Sequence, residues 1–314
     1  MEEGTGGVKP LGEAGILPFL ALTIMALLFG LSFVATKYAL RSIPPFTLIF
    51  LRFCIASLFL GIFYLRRPSQ KVHRGDRWRI IMTSLIVPGF YFLAETYGLK
   101  FSSATSVSLL VATIPIFAAI FAFLLLRERI GIWRGMGIAL SVIGVGTILT
   151  AVPGEKSGLQ FIQAGNLLGL GAALCAGLYM ALGRDLLNRY SPLVITTFQA
   201  LFAVLIFFPL AGWEWFTHRW EDLNALTLVA VTYLALFCSV LAFFLWNYGI
   251  SRLEASKAAV FTNLVPVFTV FGAYFLLGEK IYQGQMIGGA LVICGVTLAN
   301  MKIADRGLQN AEYK

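Results

Sequence analysis

Shifting the chain by 151 positions lays Tyr97-Gly98-Leu99 over Tyr248-Gly249-Ile250. In the same frame Ala104 meets Ala255, Pro115 meets Pro266, Phe117 meets Phe268 and Glu128 meets Glu279. Gly137 meets Gly288 and Gly144 meets Gly295, with no gap from Tyr97 to Thr147. Upstream the offset becomes 147, so that Gly30-Leu31 lies over Gly177-Leu178 and Pro45 over Pro192. A chain built twice from one unit can fold only into what that unit forms with its own copy.

The unit is apolar. Ten runs approach the roughly 20 residues that a bilayer-spanning helix needs. They cover Leu17–Leu40, Phe46–Leu65, Trp78–Leu99, Ala104–Leu126, Ile132–Ala151, Ala164–Leu187, Leu193–Gly212, Leu226–Ile250, Ala255–Leu277 and Tyr282–Met301. The chain is 59% hydrophobic and 12% charged, against about 25% charged in soluble domains. Lipid must therefore be the solvent, and the fold expected is an all-α integral membrane protein with ten transmembrane helices. The repeats span residues 17–151 and 164–302, five helices each. Segment 1–16 precedes them, 152–163 links them, and 303–314 forms a tail.

Basic residues choose the orientation, because cytoplasmic loops collect Lys and Arg. With the N-terminus inside, 17 basic residues fall in cytoplasmic segments and 6 in external ones, with Arg52 inside a span. Both termini are expected to be cytoplasmic, segments 1–16 and 303–314 included, and 152–163 external. Five helices per repeat is an odd number, so the second repeat must be inverted relative to the first. Inverted repeats in a multi-pass protein point to a transporter with its site between them near mid-membrane.

Other classes lack their chemistry. Cys54, Cys175, Cys238 and Cys294 lie in apolar runs, and His73 and His218 in polar loops. No His/Cys spacing suits a metal, and no cofactor is expected. The net charge of +9 is spread over helix ends, so nucleic acid is not an expected partner. The acidic, Gly-rich start lacks the basic region of a signal peptide. No G-x₄-G-K-[ST] loop, no G-x-S-x-G and no intramembrane His is present, which argues against ATP hydrolysis and against an enzyme.

Leu28-Phe29-Gly30-Leu31-Ser32-Phe33 resembles a W-G-S-F-type first helix, and Pro45 to Phe53 a P-x₅-L-R-F second helix. Tyr97-Gly98-Leu99-Lys100-Phe101 is similar to A-L-K-Y. Leu125-Leu126-Arg127-Glu128-Arg129 and Leu276-Leu277-Gly278-Glu279-Lys280 match an L-G-E-R/K close, with Arg127 in place of the first glycine. Together these identify the chain as similar to the EamA family of the drug/metabolite transporter superfamily, over nearly its whole length. The resemblance implies a secondary transporter, with export of a small metabolite or amino acid expected. A drug or nucleotide-sugar carrier and a proton-independent facilitator are the alternatives within the fold, and an intramembrane enzyme or a channel those outside transport. The membrane would be the plasma (inner) membrane in a bacterium.

Polar groups inside spans are costly and are candidates for function. Glu95 reads as the only carboxylate well inside a span, about 7 Å deep from the outer face at 1.5 Å per residue. Arg52 lies at similar depth and Lys37 near the outer end of helix one. The three could bind a zwitterion, exchange a proton at Glu95, or form a standing Glu95–Arg52 or Glu95–Lys37 pair. In the repeat frame Glu95 falls on Trp246, Thr96 on Asn247, Arg52 on Gln199, Ser32 on Tyr179 and Ala112 on Asn263. Positions related by pseudo-symmetry face one space, so Ser32, Thr36, Tyr91, Glu95, Tyr179, Gln199, Trp246, Asn247 and Asn263 are expected to line a cavity. Pro115 and Pro266 sit mid-run in helices four and nine and are expected to kink them as gating bends. The paired glycines are expected to allow close helix packing. Glu128 and Glu279, at helix C-termini where negative charge is unfavourable, are expected to pair with nearby Arg or Lys. Partners are then a small-molecule substrate, membrane lipid and protons at Glu95; monomer and homodimer both stay open.

Overall fold

The computed structural model describes residues 16–66, 70, 72–127, 131–151, 164–217, 223–252 and 261–311. In chain order, α1 is Leu17–Ala39 and α2 is Pro45–Arg66. The third span, α3, joins Arg77–Ser84, Leu85–Phe90 and Tyr91–Phe101, and α4 joins Ala104–Val111 and Ile114–Leu126. Next come α5 (Ile132–Thr150), α6 (Ala164–Arg189) and α7 (Pro192–Thr217). The eighth, α8, joins Ala225–Thr232, Tyr233–Leu241 and Ala242–Arg252; α9 is Leu264–Leu277 and α10 is Gln283–Ala311. Eight of these spans are long and apolar enough to cross a membrane; the apolar helices Leu264–Leu277 and Gln283–Ala299 are shorter. Helices are the natural answer to these runs, because hydrocarbon offers backbone N–H and C=O groups no other partner.

Two pairs of equivalent helices, α2 with α7 and α5 with α10, lie side by side and run in opposite directions. Between α2 and α7, Phe46 packs on Phe207 with ring centroids 6.4 Å apart, and Tyr64 on Phe198 at 5.9 Å. Between α5 and α10, Gly137 faces Gly295 while Gly144 faces Gly288. Early residues of one helix thus meet late residues of its counterpart, so the repeats are inverted. Further contacts cross between repeats in matched pairs. A Cβ added to Gly30 of α1 would lie 2.6 Å from the Phe268 Cβ of α9; at Gly177 of α6 it would lie 2.5 Å from the Phe117 Cβ of α4. The absence of a side chain lets each pair of backbones close up.

The ends of the helices show the same frame. Arg127 and Gly278, equivalent at offset 151, both end their helices in the left-handed region, at φ 55° and 67°. Glycine meets no Cβ penalty there and arginine does. The seventh span runs on to Thr217 instead of stopping at Gly212, because Glu214 at that end has buried partners. The tenth continues as helix to Ala311, into the stretch read above as a tail.

We call the end of the bundle where α1 starts the near end and the opposite one the far end. At the far end Glu214 accepts from Phe46 N at 3.2 Å, Thr47 N at 2.8 Å and Thr47 Oγ1 at 3.0 Å, capping α2. Glu279 accepts from Ala104 N at 2.8 Å and Thr105 N at 3.2 Å, capping α4. Lys37 Nζ donates to the last carbonyls of α3, Leu99 O at 2.5 Å and Ser102 O at 2.6 Å. Glu279, expected to pair with an Arg or Lys, bonds the positive first turn of another helix and is also attracted by Lys37. Glu128 lies outside the described residues. At the near end Arg79 pairs with Asp185 at 3.1 Å, and Arg189 with Asp185 at 2.9 Å and Asp76 at 3.7 Å.

Candidate functional site

Arg52 of α2 is 7% exposed and Glu95 of α3 is 6% exposed. The Arg52 Nε donates to Ser239 Oγ at 2.9 Å, and Ser239 donates in turn to Leu234 O at 3.1 Å. The guanidinium lies 4.7 Å from the centre of the Phe92 ring. Glu95 accepts from the Tyr91 hydroxyl at 3.2 Å and feels the Arg52 charge. Among the described residues no ion pair within 4.0 Å joins Glu95 to Arg52 or to Lys37. The standing pair weighed from sequence is not formed. Ser239 and Phe92 fix the guanidinium instead, and Lys37 is spent on backbone carbonyls at the far end.

Each charged group keeps unfilled valences. No hydrogen bond is made by the two terminal nitrogens of Arg52 or by the Glu95 Oε2, among the described residues. Yet none of the polar side-chain atoms sealed from solvent among these residues lacks a partner. The free atoms of Arg52 and Glu95 therefore keep contact with solvent-accessible space. A guanidinium with two free nitrogens beside a carboxylate oxygen matches a carboxylate and an ammonium on one ligand.

The second repeat repeats the scaffold without the charge. Gln199 stands where Arg52 does, and its Nε2 donates to Val87 O at 3.1 Å. Val87 belongs to the widened turn Leu85–Phe90 of α3 and is extended, at φ −136° and ψ 114°. Ser239 belongs to the matching widened stretch Tyr233–Leu241 of α8. So α2 and α7 each reach a widened turn in the other repeat. Irregular backbone at membrane depth is tolerated where protein buries it or where it lines a cavity. Tyr179 of α6 interacts with Gln199. Tyr91 and Glu95 are spaced four apart and share one side of α3.

The other expected residues divide. Ser32 is buried and donates to Phe29 O at 2.7 Å, and Thr36 is buried on the same helix. Trp246 packs with Leu22, Met25 and Leu28 in an apolar cluster between α1 and α8. Asn263 donates to Thr297 Oγ1 at 3.1 Å, tying α9 to α10. These two are therefore assigned to helix packing. The Asn247 side chain lies outside what is described. Pro115 and Pro266 are not mid-helix: the chain turns at Ala112–Thr113 and at Asn263, and each proline lies in the first turn of the piece that follows. A missing N–H costs nothing there. Sequence reading missed Ser239 and Glu214; Glu214 is 2% exposed, so Glu95 is not alone. The signal for Ser239 was its place opposite Pro88 at offset 151.

Two grooves lie elsewhere. One of about 460 Å³ runs between α4, α9 and α10, past Leu109, Phe271 and Met286. One of about 510 Å³ runs between α2, α3 and α6, past Phe46, Leu93 and Cys175. Arg52 and Glu95 line neither. Both walls are apolar, which suits lipid chains rather than a charged cargo.

The EamA-like transporter family matches residues 16–150 and again 163–301. An uncharacterized transporter of Bacillus subtilis, YetK, is 30% identical over 299 residues, covering 95% of this chain and 90% of its own. A probable amino-acid metabolite efflux pump of Salmonella typhimurium is 27% identical over 294 residues, covering 88% of this chain and 92% of its own. A protein crystal structure shares the fold with a TM-score of 0.62 at 19% identity, covering 92% of this chain and 98% of that one. With two matched repeats and a multi-pass helical bundle, the chain belongs to the EamA-like transporter family and is a membrane transporter of the drug/metabolite type.

Proposed function

We propose that this transporter exports an amino acid or a similar zwitterionic metabolite across the plasma membrane by alternating access. One observation carries the reading: Arg52 and Glu95 are buried, opposite in charge, not paired with each other, and open at their remaining polar atoms. Arg52 receives the substrate carboxylate and Glu95 its ammonium. A buried charge left without any partner costs several kcal/mol, so each site charge gains most from a ligand that carries its opposite. The near end is cytoplasmic, in line with the bias of 17 basic residues to 6. Export follows the printed name of the Salmonella relative. The breaks before Pro115 and Pro266 serve as the bends between the two access states. Protonation of Glu95 removes the partner of the ammonium, which links proton entry to cargo release.

Flux of labelled amino acids in proteoliposomes tests this. Arg52→Gln and Glu95→Gln are each expected to weaken apparent affinity by about ten- to hundredfold, the worth of a charge-assisted hydrogen bond. Unchanged flux in both variants would remove the site. A pH gradient that drives the wild type but not Glu95→Gln assigns the coupling to Glu95. Wild-type flux indifferent to the gradient makes the protein a facilitator.

A further inference from the structure

Arg52 and Gln199 are not merely aligned in sequence; they do the same mechanical task. Each projects from an antiparallel partner helix, α2 or α7, and donates to the widened turn of the other repeat. The terminal nitrogens of Arg52 make no hydrogen bond among the described residues and are not sealed from solvent, and beyond Val87 the Gln199 amide engages only the neighbouring Tyr179 among these residues. Gln199 is 9% exposed and has Tyr179 beside it. What differs is charge: a guanidinium with Glu95 near it in one seat, an amide with a phenol near it in the other.

The two seats lie along one helix. Glu95 and Tyr91 belong to the first and the Val87 carbonyl to the second, and all three belong to α3. Eight residues of that span separate Val87 from Glu95, the first of them extended and the rest helical. Among the described residues nothing charged is bonded to Gln199. Its amide can both donate and accept, and the Tyr179 hydroxyl likewise.

We propose that Gln199 and Tyr179 form a second, uncharged seat for the same cargo and determine specificity by taking its uncharged side chain. The charged end of the cargo lies on Arg52 and Glu95, so the inference rests on the amino-acid reading above. Gln199 excludes acidic and basic side chains because an amide leaves a buried charge without an opposite partner. The repeat that lost the charge is the one that reads the side chain.

The test is a substrate panel in proteoliposomes: glutamine, leucine, glutamate and lysine, with wild type, Gln199→Arg, Gln199→Glu, Gln199→Met and Tyr179→Phe. Wild type is expected to prefer glutamine and leucine. Gln199→Arg is expected to raise the glutamate-to-glutamine ratio of apparent affinities about tenfold or more, and Gln199→Glu the lysine ratio equally, as charge-assisted bonds replace a neutral one. Gln199→Met, close in size and uncharged, guards against variants that fail to fold; it should weaken glutamine more than leucine, and Tyr179→Phe should do so to a lesser degree. Variants that scale all four substrates alike would reduce Gln199 to a helix tie and overturn the second seat. Wild type that moves none of the four would overturn the amino-acid reading itself, a result distinct from unchanged ratios.

Discussion

At the far end, Glu214 and Glu279 each cap the first turn of a helix from the other repeat, and Lys37 closes the last turn of α3. At the near end, α3 meets α6 through Arg79, Asp185 and Arg189, whose side chains are 59%, 51% and 53% exposed. Both ends use charge, but on different terms. A far-end bond sets one buried or half-buried charge against a fixed backbone dipole, where salt screens it less. The near-end pairs of Asp185 set two mobile charges against each other in water, where attraction is screened and side-chain entropy opposes it. The Asp185 pairs are the weaker of the two kinds of charged tie.

Ways to break this comparison range from large to small. Glu214→Ala leaves three donors of α2 unpaired in a buried place, and should cost about 3 kcal/mol. Thermal unfolding in detergent reads it; a loss below about 1 kcal/mol would mean the cap contributes little. Lys37→Met strips two carbonyls of their donor and should cost about 1–2 kcal/mol by the same measurement. Arg127→Gly should work the other way, stabilising by about 1 kcal/mol, because φ 55° strains an arginine and not a glycine. No gain would show that the side chain makes up for the strain. Asp185→Ala removes both exposed pairs and should cost less than about 1 kcal/mol. That small loss should vanish in 1 M salt, while the Glu214→Ala loss should persist.

The helices were legible because a bilayer permits so little else: the ten apolar runs became helices among the described residues, eight of them long and apolar enough to cross a membrane. The inversion was legible from parity alone, and the paired glycines pack crosswise, Gly137 on Gly295 and Gly144 on Gly288, as inverted copies do. What stayed hidden depends on ends meeting across the repeats. Trp213-Glu214-Trp215-Phe216 reads as the start of a loop, and only the arrival of Pro45-Phe46-Thr47 from α2 makes a buried carboxylate useful there. Asn263 and Trp246 share repeat positions with α4 and α3 residues, yet they pack against α10 and α1 instead of the charged seat. Alignment predicts the helix a residue stands on more surely than the neighbour it finds. In the site, Arg52 and Glu95 were visible as charges in apolar runs. Their separate anchoring by Ser239 and Tyr91 was not, because Ser239 is 187 residues from Arg52.

The seam between α5 and α10 constrains how this chain can change over generations. A Cβ on Gly144 would sit 2.6 Å from the carbonyl of Gly288, and one on Gly288 would sit 2.6 Å from the carbonyl of Gly144. Gly137 and Gly295 are bound in the same way. Elsewhere in a core, enlargement on one side can be rescued by shrinkage on the other. Here no rescue exists, because nothing is smaller than glycine. Drift can recolour the rest of both repeats, but along this line each half holds the other to the residue it inherited.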